Sequence, residues 1–102
     1  MSKLVRDRIP DIIRARGAEL VTHIADAEEY VAALKEKVVE EAQELRSADG
    51  DHEREEIADV LEVLRALAAA RGIRWTEVER IAAEKTTERG GFMKRVILEK
   101  LE

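Results

Sequence analysis

The sequence predicts a mainly α-helical domain organised around an antiparallel hairpin of two long helices. Three observations carry this. Apolar residues recur three and four apart, at Tyr30, Leu34, Val38, Ala42 and Leu45, and again at Ile57, Val60, Leu61, Leu64 and Leu67. The chain is rich in Ala, Leu, Glu, Lys and Arg, with a single proline and only one each of Trp, Tyr and Phe. Helix start and stop residues bracket each apolar run. With 102 residues the chain is read as one domain, 1–102. Its 45% apolar content argues against disorder.

Each element follows from local chemistry. Pro10 suits the first turn of a short helix over Asp11–Arg16, and Gly17 ends it. Ile9, Ile12 and Ile13 are expected to pack inward. Glu19–Ala25 alternates and holds β-branched residues, so it reads as a short strand. Arg95–Leu101 is its expected partner in a small two-stranded β-ribbon. Asp26 with Glu29 three residues on has the capping-box spacing, and starts a helix that runs to about Ser47. Ala48–Asp51 is the turn. The second long helix is expected from about His52 to Arg71, with Gly72 as its stop. Thr76 and Glu79 repeat the capping-box spacing and start a last helix, with Val78, Ile81 and Ala82 as its apolar face. It ends before Gly90–Gly91. Trp75 and Phe92 could stack on a base, but in so aromatic-poor a chain they read as core anchors.

The hairpin carries the chemistry. Glu41 and Glu44 are three apart on the first long helix; Glu56 and Asp59 are three apart on the second. Residues so spaced share a helix face. Folding about Gly50 brings the pairs level, Glu44 opposite Glu56 and Glu41 opposite Asp59. Four carboxylates converging between helices about 8–10 Å apart repel unless something positive lies among them. Oxygen-only ligation suits a hard cation, Mg²⁺ or Mn²⁺. The competing reading is a solvated acidic face, which a chain that is 40% charged often has. Glu40, Glu53, Glu55 and Glu62 read that way.

Two basic groups flank this constellation in sequence. Lys3, Arg6 and Arg8 precede the first helix, either to contact a polyphosphate, to position the acidic site, or as surface charge paired with Asp7. Lys85 and Arg89 are four apart and share a face just before two glycines. They suit the phosphates of a nucleotide, or are the ordinary basic end of a helix.

Taken together, E40-E-A-Q-E44, E56-I-A-D59, K3-L-V-R-D-R-I-P10 and K85-T-T-E-R-G-G-F92 resemble the all-α MazG-like NTP pyrophosphatases. The first and last segments resemble the phosphoribosyl-ATP pyrophosphohydrolase-like branch. The resemblance implies Mg-dependent hydrolysis of a nucleoside triphosphate, or related nucleotide, to the monophosphate and pyrophosphate. It implies Glu41, Glu44, Glu56 and Asp59 as metal ligands, with one of them or Glu40 orienting the attacking water. It implies Arg6, Asp7, Lys85 and Arg89 as substrate contacts. It also implies a homodimer or dimer of dimers. The wide apolar stripes agree, because a second hairpin would complete a four-helix bundle. Two alternatives stand beside this: phosphoribosyl-ATP hydrolysis in histidine biosynthesis, and a non-catalytic helical dimerisation module.

Composition narrows partners and compartment. A net charge of −5 disfavours general binding to nucleic acid backbone. There is no cysteine, hence no disulfide and no thiolate metal site. His23 has no second His or Cys at ligand spacing and reads as structural or exposed. No apolar run reaches the length of a membrane span, and no signal-peptide core opens the chain. A cytoplasmic protein without a membrane partner is the expectation.

Overall fold

In the computed structural model, which describes residues 2–102, the chain is all-helical: α1 (Ile9–Ala15), α2 (Ala27–Ser47), α3 (Asp51–Ala70) and α4 (Trp75–Arg89). The described residues contain no strand. The chain forms two compact units, one through Gly72 and the other Ile73–Glu102. No helix among the described residues is long and apolar enough to cross a membrane.

The first unit is the expected hairpin. Asp26 caps α2, its side chain accepting from the Glu29 backbone N–H at 2.9 Å. This satisfies one of the four donors a helix start leaves unpaired. Glu29 does not complete the reciprocal bond; its carboxylate meets His23 Nε2 at 2.7 Å, and both side chains are exposed. Gly50 turns the chain into α3 with φ 60° and ψ −135°, a conformation that glycine alone adopts without strain. The connection is only three residues long, so α2 and α3 run antiparallel and pack along their lengths.

The core is small. Leu34 is 2% exposed, and Val63 and Ala68 are the other buried apolar residues among the described ones. The fourth buried side chain is an acid, Glu41. Of the α2 stripe, Tyr30, Leu34, Val38 and Leu45 are buried or half-buried as expected, while Ala42 is exposed. On α3 the inward face is rotated from the expected one. Val60, Val63 and Leu67 turn in, together with Glu56 and Asp59, whereas Ile57, Leu61 and Leu64 are exposed. Helix α3 is apolar over more than one face, so periodicity alone left its rotation open.

Several expectations need correction. The β-ribbon is absent: 19–25 and 95–101 have no regular structure, and Val21, Ile24, Val96 and Ile97 are exposed. Alternation marks a residue as suited to a pleated surface, but two isolated strands with nothing to pack on are marginal at best. Ile12 on α1 is exposed, while Ile9 and Ile13 are half-buried.

In the second unit, α4 starts at Trp75 with Arg74 in the N-cap position and no side-chain cap. Thr76 therefore lies inside the helix, and the expected Thr76–Glu79 capping box does not form. Trp75 is half-buried, whereas Phe92 is exposed rather than a core anchor. The glycine stop is as expected: Gly90 has φ 81°, and its N–H donates to the Thr86 carbonyl at 2.8 Å.

Candidate metal centre

Glu41 projects from the inward stripe of α2, between Leu34, Val38 and Leu45. Glu56 and Asp59 project from the inward face of α3. The hairpin brings one carboxylate oxygen from each within 4.8 Å of the other two. Glu41 Oε2 and Glu56 Oε2 are buried and have no hydrogen-bond partner among the described residues. Buried polar atoms are nearly always paired, so two orphaned carboxylate oxygens ask for a ligand. Three carboxylates supply the oxygen donors that Mg²⁺ or Mn²⁺ takes, with room left for water. The residues present therefore fit a hard divalent cation.

Electrostatics agree with the geometry. The Glu56 carboxyl is pushed up to about 7. Burial is the largest cause, followed by the facing Glu41 carboxyl, with the charges of Glu44, Glu41 and Asp59 adding. This sets a pH dependence. Glu56 binds its proton more tightly folded than unfolded, where 4.5 is the ordinary value. Its stabilising contribution is therefore complete below about pH 4.5 and is lost as pH rises towards 7. Melting in a chelator should show the midpoint falling over that interval. Divalent-ion affinity should rise over the same interval, because the ion must displace the proton. Glu56→Gln should flatten both profiles; a wild-type profile already flat would refute the assignment.

The expected fourth ligand stands apart. Glu44 is exposed and outside the group of three. Leu45 continues the buried stripe four residues after Glu41, while Glu44 is turned about 60° to one side of Glu41. Counting outward from Gly50 captured the level of Glu44 but not its direction. Its charge still acts on Glu56. Glu40 is engaged elsewhere: it accepts from Lys37 Nζ and Lys3 Nζ, each at 3.3 Å. Burial raises the Glu40 carboxyl, but the two lysines outweigh it and hold it below its ordinary value.

The N-terminal basic segment reaches the site. Arg6 Nη2 donates to Asp59 Oδ1 at 2.8 Å, and Arg6 Nη1 lies 3.7 Å from Glu62. Lys3 and Arg6 thus both contact acids of the hairpin helices, Glu40 on α2 and Asp59 on α3. Asp7 is exposed and lines the same cavity as Arg6. That cavity, of about 290 Å³, is lined by two of the three acids, Glu41 and Asp59. Leu4, Val5, Tyr30, Leu34, Val63 and Ala66 give it an apolar wall, and Arg6, Lys37, Glu41, Asp59 and Glu62 a charged one. Such mixed linings are typical of small-molecule sites.

Lys37 was missed by sequence reasoning. It is only 15% exposed, between Glu40 and Glu41, with Nζ 3.6 Å from Glu41 Oε1. The signal was present in its spacing, three and four residues before those acids. Lys85 and Arg89 lie on α4 in the second unit, and both are exposed.

No family model matches the chain, and no solved structure does. The chain is similar to an uncharacterized protein of Mycolicibacterium smegmatis, 53% identical over 49 residues. The match covers 48% of this chain and 50% of that protein, so it spans about half the length of the relative.

Proposed function

We propose that the chain is a divalent-cation-dependent nucleotide pyrophosphohydrolase of the MazG-like kind. One observation carries the reading: two buried, unpartnered carboxylate oxygens, from Glu41 and Glu56, beside Asp59. The order of the four sequence motifs supports it, as does the cavity next to the acids. Glu41, Glu56 and Asp59 hold the ion, with Glu44 as an outer charge. A bound Mg²⁺ or Mn²⁺ would lower the pKa of a water and neutralise phosphate oxygens. Arg6 and Lys37 supply positive charge at the charged wall of the cavity, and Asp7 lines the same cavity. By the resemblance, Lys85 and Arg89 would be further phosphate contacts. The products are a nucleoside monophosphate and pyrophosphate.

The testing experiment is a panel of nucleoside triphosphates and phosphoribosyl-ATP with Mg²⁺ or Mn²⁺, with pyrophosphate release measured. Release from one class, abolished by a chelator, is the expected result. No release from any member would leave the dimerisation module as the better reading.

The outward face of α3 supports a homodimer. Ile57, Leu61 and Leu64 are 56%, 39% and 38% exposed along one stripe. A second copy would cover them by pairing hairpins into a four-helix bundle. Light scattering at low micromolar concentration should give twice the chain mass, or four times it. An active species at the monomer mass would rule the dimer out.

A further inference from the structure

Arg6 hydrogen-bonds to one of the three acids, and it is divided between two of the carboxylates on α3. One arm donates to Asp59 at 2.8 Å, while the other lies 3.7 Å from Glu62. Asp59 belongs to the group of three; Glu62 does not. Three residues apart, they sit on one face of α3. A divalent cation among Glu41, Glu56 and Asp59 would stand a few ångströms from the Arg6 charge, and the two repel. They also seek the same carboxylate. Glu62, whose side chain is 67% exposed, is the other seat within reach.

We infer that Arg6 is a movable counterion of the acidic site, whose shift from Asp59 to Glu62 releases Asp59 to a divalent cation. This rests on the metal-site reading and adds its regulation. The orphaned oxygen of Glu41, on a residue 7% exposed, is the independent sign that a ligand enters here. The shift has a consequence for the cavity. Leu4 and Val5 precede Arg6 and form part of its apolar wall. The shift turns Arg6, which lines the same cavity, from a partner of Asp59 into a cation near incoming phosphates.

The test measures Mn²⁺ affinity by calorimetry in wild type, Arg6→Gln, Glu62→Gln, the double variant and Arg8→Gln. Arg8 is an exposed cation of the same segment and controls for bulk charge. Arg6→Gln should bind roughly two- to fivefold tighter, the range expected for releasing a part-exposed ion pair. Arg8→Gln should bind as wild type does. Glu62→Gln should weaken binding when Arg6 is present and have no effect when it is Gln, the non-additivity of a coupled pair. Equal or weaker binding by Arg6→Gln would overturn the inference, and would make Arg6 a support for the Asp59 carboxylate instead. Tightening by Arg8→Gln of the same size, or an effect of Glu62→Gln that is the same in both backgrounds, would also overturn it. Wild type that binds no Mn²⁺ removes the metal-site reading, and the inference with it.

Discussion

Glu56→Gln should lower cation-dependent nucleotide hydrolysis at least about a hundredfold while leaving the helices intact. A carboxylate-held ion supplies several kcal/mol to a phosphoryl-transfer transition state, and about 1.4 kcal/mol is a factor of ten in rate. Gln keeps the shape of Glu56 but removes its charge and one strong oxygen donor. Stability should move the other way. Burial and the facing Glu41 already push the Glu56 carboxyl up to about 7, so near neutral pH its charged form strains the site. Removing that charge should raise the melting midpoint in a chelator and abolish the further rise that Mg²⁺ gives wild type. Far-UV circular dichroism checks the fold, and pyrophosphate release checks the rate. Near-normal turnover would remove Glu56 from the site.

Leu34→Ala should have the largest effect on stability, a loss of about 2–4 kcal/mol by urea denaturation. Leu34 is the most buried residue of a core that otherwise holds Val63 and Ala68. It is packed where α2 meets α3, and it also lines the cavity beside the acids. Truncation loses its transfer energy and leaves a void that two helices with so few other buried contacts cannot readily close. A small domain stabilised by only 5–15 kcal/mol or so would show this plainly. Val21→Ala, at a fully exposed position, should change stability by no more than about 0.5 kcal/mol. A Leu34→Ala loss below about 1 kcal/mol would mean that the hairpin interface is not the main source of stability.

Much of the fold is legible in the sequence because local chemistry marks it. Asp26 caps where its spacing to Glu29 says it should, and Gly17, Gly50, Gly72 and Gly90 end or join helices with positive φ. Glu41 in the middle of an apolar stripe is the clearest mark of the site, and it is the buried acid. What local chemistry leaves open is rotation and long-range partnership. Helix α3 offers Ile57/Leu61/Leu64 and Val60/Val63/Leu67 as competing faces, and only packing against α2 chooses between them. That choice carries Glu56 and Asp59 inward.

Glu44 falls outside the group of three for a related reason: level in a hairpin is set by counting, direction by the helical angle. Arg6 and Asp59 are 53 residues apart, and no periodicity announces their contact. At 19–25 and 95–101, alternation reports strand propensity, which does not form a sheet without surfaces to bury. Thr76 shows the same limit, since a capping-box spacing that begins at the second residue of a helix caps nothing.

The central claim is that Glu41, Glu56 and Asp59 together hold a divalent cation, and direct titration of Mn²⁺ into the purified chain tests it. Calorimetry near pH 8, above the value of about 7 at which Glu56 loses its proton, should give saturable binding in wild type. Glu41→Gln, Glu56→Gln and Asp59→Asn should each lower that affinity at least about tenfold, while Glu53→Gln, on the exposed start of α3, should not. Equal affinity in all five proteins, or no saturable binding in wild type, would contradict the account.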